Sequence, residues 1–222
     1  MACAMLQLHS ACVQNLGLGI ASTLFLCYTF LEYKKPRPLL ARMEDAMEIT
    51  PRMSDHALLA RAAAAGSMVL LKNTGGTLPL LPLEDGTPMP VAVFGAGQIR
   101  TCLCPADIHP WKKGSILDAL CASRRIVPDG LLAHRYRNAA LKDPLDGELD
   151  AAALDLSRLR EENAAAIVVI SRADRDTRTL TENETALIRR VCAVFERTVL
   201  VLNTPLGIEL GEANQCPAIV YA

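Results

Sequence analysis

Residues 55–80 read DHALLARAAAAGSMVLLKNTGGTLPL. An alanine-rich helix runs into an apolar stretch, a Lys72-Asn73 pair, a Gly75-Gly76 turn and Leu78-Pro79-Leu80. Ser54 is positioned to cap a helix starting at Asp55, whose charge complements the helix dipole. Leu58, Leu59, Ala62, Ala63 and Val69 keep helical spacing. Thr74 to Pro90 is rich in Gly, Pro and Thr and reads as a connecting loop. The strand Val91-Ala92-Val93-Phe94-Gly95 follows. A continuous apolar run of this length suits a parallel strand buried on both faces.

The same grammar repeats downstream. SILDALCAS (115–123) predicts a short helix with Ile116, Leu117 and Leu120 inward, and 131–141 and 151–165 predict two more. The turn-like Asp143-Pro144-Leu145-Asp146-Gly147 separates those two. AIVVIS (166–171) and TVLVLN (198–203) are apolar throughout, and PAIVYA (217–222) is a further strand. Thr181 and Glu184 have capping-box spacing, so a helix starts there, with Leu187, Ile188, Val191, Cys192 and Phe195 on its apolar face. Apolar strands alternating with amphipathic helices imply an α/β fold, a mostly parallel sheet flanked by helices. The final strand has no following helix to cover it, so the domain reads as incomplete at its C-terminus.

The 222 residues allow one good core plus an extension. They are 51% hydrophobic but 4% aromatic, so the core is aliphatic. A net charge of -1 and the lack of any basic stripe argue against nucleic acid as a partner. Eight cysteines lack a repeated spacing and the four histidines lie far apart, so no metal site is implied. Cys121 and Cys192 fall on apolar helix faces, where a reduced, buried thiol is the ordinary reading. Cys102 and Cys104 are too close for a normal disulfide within one strand. This usage leans towards a reducing compartment and a cytoplasmic location.

Residues 1–42 form an apolar extension, and 43–222 the domain. Residues 1–31 carry no Asp, Glu, Lys or Arg, and Lys34, Lys35 and Arg37 follow. Two readings stand: a membrane anchor, with the basic cluster keeping the body cytoplasmic, and a non-native extension upstream of Met43. A secretory signal would carry its positive charge ahead of the apolar run.

Polar chemistry concentrates after the strands. Phe94-Gly95-Ala96-Gly97 invites a dinucleotide reading, but Arg100 occupies the third glycine's place, so a tight strand-to-loop turn is the better account. Asn183-Glu184-Thr185 is formally a glycosylation sequon, discounted because it lies in the first turn of a capped helix. Asp55-His56 reads as a cap and not a catalytic pair. Ser171-Arg172-Ala173-Asp174-Arg175 sits past the carboxyl end of a buried strand, where open α/β sheets place ligand groups. Arg172, Asp174 and Arg175 offer donors and acceptors for sugar hydroxyls; the competing account is a solvated loop held by local ion pairs.

Taken in order, residues 43–53, 55–80, VAVFGAGQIRT (91–101), SILDALCAS, AIVVISR (166–172) and LTENETALIRRV through TVLVLN (180–203) resemble glycoside hydrolase family 3, the β-glucosidase and β-xylosidase family. The part resembled is the second, α/β sandwich domain. The resemblance implies retaining hydrolysis of terminal β-glycosidic bonds, a carbohydrate substrate, and no metal or organic cofactor. Such hydrolysis needs two carboxylates about 5 Å apart. In this family the nucleophile is an aspartate of a separate barrel domain, which the sequence lacks; a neighbouring chain is where the resemblance would place it. Some members carry the sandwich first and the barrel last, an order that a start near Met43 resembles.

Relatives carry a Gly/Ser/Thr-rich loop where this chain has Cys102 to Trp111. After the strand ending in Ser171-Arg172 they resemble Gly-Glu-Gly-x-Asp-Arg. Here Ala173-Asp174-Arg175 matches only the last three positions, without the glutamate. Asp174, Arg175 and Arg172 are therefore the expected substrate-side contacts, with Glu182 or Glu184 as a substitute acid and no catalytic residue assigned. A non-catalytic sugar-binding or docking module is the alternative.

Overall fold

The computed structural model describes residues 50–101, 114–143, 147–172 and 178–222. In chain order the elements are α1 (Pro51–Ser67), β1 (Val69–Asn73), β2 (Met89–Phe94), α2 (Ile116–Cys121), β3 (Ile126–Pro128), α3 (Gly130–Lys142), α4 (Leu156–Glu162), β4 (Ala165–Ser171), α5 (Glu182–Val194), β5 (Thr198–Asn203) and β6 (Ala218–Tyr221). The sheet runs β1-β6-β5-β4-β2-β3; every pair is parallel except β1 with β6.

The continuous apolar runs become buried strands because each face of the sheet has its own cover. Phe94, Val168, Ile170, Leu200, Leu202 and Ile219 point to the side packed by α3, α4 and α5. Val93, Ile167, Val169, Val201 and Val220 alternate to the other side, under α2 and the Leu78–Leu80 segment. β6 is interior to the sheet, held between parallel β5 and the antiparallel return of β1.

Several boundaries differ from the sequence reading. The first helix starts at Pro51, because the Thr50 hydroxyl accepts the Met53 N–H and proline suits the first helical position. Ser54 and Asp55 therefore lie inside it. None of its residues is buried; Leu58 and Leu59 are exposed. Val69 belongs to β1 and not to the helix, since its backbone pairs with Tyr221. The helix expected over 151–165 is two pieces, a 3-10 turn at Ala151–Ala153 and α4. Asp150 and Asp155 each cap a new start, and Ala165 already pairs with Val91. β3 went unpredicted within the Ser123–Leu131 connection. Cys121 is exposed, at the last residue of α2, and Cys192 is half-buried.

The family-like segment at 69–80 has structural work throughout. The Lys72 ammonium donates to the Asn214 carbonyl at 2.6 Å, tying β1 to the turn before β6. Asn73 clamps Leu78 from both sides: its Oδ1 accepts the Leu78 N–H at 2.9 Å and its Nδ2 donates to the Leu78 carbonyl at 3.1 Å. Gly75 and Gly76 between them have φ of 63° and 64°, which glycine adopts without a Cβ clash. Arg197 holds the segment from outside through the Thr77 and Pro79 carbonyls.

Candidate functional site

The chain leaves β2 towards β3 on one side and returns to β4 on the other, so the direction of winding reverses between the carboxyl ends of β2 and β4. Open α/β sheets bind ligands at such a switch point. Gly95, Ala96 and Gly97 come from β2; Ser171 and Arg172 come from β4; Asn203 and Thr204 follow from β5.

Backbone fills the floor of this crevice. Gly95 has φ of 91°, and a Cβ there would lie 2.2 Å from the Val169 carbonyl oxygen. A Cβ on Gly97 would lie 2.7 Å from Ser171 Oγ and 2.9 Å from Ser171 N. These glycines let the 3-10 turn Ala96–Gln98 lie directly against β4, which accounts for the Gly-x-Gly spacing without a phosphate. Above it, Asn203 Nδ2 donates to the Thr101 carbonyl at 2.9 Å and to Ser171 Oγ at 3.2 Å. The Thr101 hydroxyl donates to the Gly97 carbonyl and accepts the Ile116 N–H, both at 2.9 Å.

Among the described residues, Glu148, Glu184 and Arg172 bring charge to this edge. Arg172 pairs with Glu184, whose side chain is 9% exposed. Glu184 also accepts the Thr181 N–H at 2.8 Å, completing the capping box of α5. Glu148 arrives from the 147–150 segment. It accepts the Ala96 N–H at 2.6 Å, the Tyr136 hydroxyl proton at 3.0 Å and the Leu149 N–H at 3.1 Å. Burial lifts Glu148 above the ordinary glutamate range, opposed by these hydrogen bonds and reinforced by the Glu184 charge. The Tyr136 hydroxyl is pushed well up, first by burial and then by the Glu148 charge. The arrangement positions backbone, and both carboxylates are occupied by the protein's own donors.

Of the residues expected to touch substrate, Arg172 lies at the rim with its guanidinium on Glu184. Asp174 and Arg175 lie outside the described residues, as do Cys102, Cys104 and residues 1–31. Glu182 is exposed in the first turn of α5, while Glu184 is buried within it. Glu148 and Tyr136 were missed. Their one local signal is an acidic residue directly after the turn glycine Gly147, whose φ is 63°. Among the described residues, no cluster of three or more His, Cys, Asp or Glu could hold a metal, and no helix is long and apolar enough to cross a membrane.

Residues 68–222 match the glycosyl hydrolase family 3 C-terminal domain. No curated protein matches the chain. Among solved structures it is similar to β-glucosidase 3B from Thermotoga neapolitana in complex with glycerol, at 25% identity and a TM-score of 0.63, over 78% of this chain. A β-glucosidase from Paenibacillus barengoltzii follows at 23% and 0.58 over 73% of this chain. A family 3 β-glucosidase from Bifidobacterium adolescentis stands at 18% and 0.57 over 79%. These last two similarities speak to the fold. The chain spans 27%, 20% and 25% of those three proteins.

Proposed function

Because the chain belongs to glycosyl hydrolase family 3 through the C-terminal domain it carries at 68–222, we propose that it supplies the sandwich half of an enzyme that hydrolyses terminal β-glucosidic bonds. The family match carries this reading, and the polar rim at the β2–β4 switch point supports it. The reaction proceeds with retention. One carboxylate attacks the anomeric carbon, a second protonates the leaving oxygen, and the second then activates water to release the sugar. Glu148 and Glu184 are both held by protein donors, so neither is free to attack. The nucleophile comes from a barrel domain, in a neighbouring chain or elsewhere in a longer protein. Arg172, Asp174 and Arg175 then contact sugar hydroxyls from the loop after β4, and the assembly is cytoplasmic.

An aryl β-glucoside assay tests this. Residues 1–222 alone should give no turnover, and adding a family 3 barrel domain should restore it. In the complemented assay Asp174→Ala should raise KM about tenfold, the worth of one charge-assisted hydrogen bond. Hydrolysis by residues 1–222 alone, abolished by Asp174→Ala, would sink the proposal. The engaged state of both rim carboxylates favours a second reading, a sugar-binding module without chemistry. Calorimetry with glucose, xylose and cellobiose separates the two: heat without turnover in the complemented assay selects the module.

A further inference from the structure

Cys192, in the last turn of α5, places its sulfur 3.0 Å from that of Cys216, the residue that closes the 3-10 turn Gly211–Gln215 ahead of β6. Both thiols are free. The gap exceeds the ~2.05 Å of a disulfide by roughly 1 Å. We propose that Cys192 and Cys216 form a reversible dithiol–disulfide pair that locks α5 to the turn before β6.

The surroundings divide the two roles. Cys192 is half-buried and reachable from solvent, whereas Cys216 is buried. The Cys216 hydrogen bond lowers the Cys192 thiol, and Thr198 and the Lys72 ammonium add to that against burial. The same sulfur–sulfur contact, with burial, pushes Cys216 far up. Cys192 is thus the attacking thiolate and Cys216 the resolving thiol. The partner is a small disulfide such as oxidised glutathione. Cys192 attacks one of its sulfurs, its S–S bond breaks, and one glutathione leaves as thiolate. Cys216 then loses its proton and attacks Cys192 Sγ, releasing the second glutathione. Two electrons pass from the pair to glutathione, and the protons leave with the two glutathione thiols.

The bond would close a loop around β5, the central strand between β4 and β6. It would also rigidify the turn whose Asn214 carbonyl receives Lys72. An exposed ion pair, Arg189 with Glu212, spans the same seam and adds little to its stability.

The full chain equilibrated in graded glutathione buffers, then alkylated and digested, decides the matter. We expect one linked peptide joining Cys192 to Cys216, a loss of roughly 2 Da for the two hydrogens, and a higher thermal midpoint for the oxidised form. Cys192→Ser should abolish the link, and Cys121→Ser should leave it. Cys216→Ala should trap Cys192 as a mixed disulfide carrying one glutathione. Alkylation of both thiols at every buffer ratio in folded protein would overturn the proposal. So would a bond from Cys192 to any other cysteine, or a stable wild-type mixed disulfide. If Cys192→Ser fails to fold, the wild-type digest alone still decides.

Discussion

Gly95 stands where β2 leaves the sheet, with φ of 91° and the Val169 carbonyl 2.2 Å from any Cβ placed on it. Gly95→Ala meets both a strained backbone and a clash with backbone that cannot swing away. We expect a loss of about 3–5 kcal/mol, read as a collapsed urea midpoint; a midpoint near wild type would mean the turn and β4 separate easily. Glu148 makes the opposite kind of prediction. Burial raises its pKa, so at this site the folded chain binds its proton more tightly than the unfolded chain does. That contribution is fully present below the unfolded value and is lost as pH climbs through the raised folded value. Glu148→Gln keeps an acceptor for the Ala96 N–H without a charge to desolvate. Its urea midpoint should fall less than wild type as pH rises from the ordinary glutamate range towards neutrality. Parallel pH profiles for the two proteins would refute this.

At the scale of elements, the strands buried on both faces were legible in the sequence: β5 lies at 198–203 as read, and β2, β4 and β6 differ by a residue or two. Uninterrupted Val, Ile and Leu leave no polar face for solvent, so a parallel interior strand is their one comfortable setting. Edge elements were not legible. β3 is three residues long, includes a proline and exposes Val127. β1 exposes most of its residues and merges with the apolar spacing of α1, so only its pairing with β6 makes it a strand. The sequence likewise predicted one helical stretch over 151–165, whereas the Asp150 and Asp155 caps divide it. What holds β1's exit in place is Asn73, with two hydrogen bonds to the Leu78 backbone. Asn73→Ala should cost about 2 kcal/mol, lowering the thermal midpoint by several degrees. An unchanged midpoint would show that Arg197 holds the segment alone.

For the whole molecule, the order β1-β6-β5-β4-β2-β3 puts the winding reversal beside Gly95–Gly97 and Ser171–Arg172. This makes one edge of the sheet polar while the two faces stay dry. The sequence by itself determined the fold class, the capping box at Thr181 and the family resemblance. Each rests on local periodicity, capping chemistry or an ordered run of segments, all readable within a few residues of one another. Only the tertiary structure decided that Glu148 meets Ala96 across 52 residues, that Arg172 turns onto Glu184, and that Cys192 meets Cys216. The physical reason is shared. Those contacts join groups on separate elements, and their partners become neighbours only once the strands have taken their order and both faces of the sheet are covered.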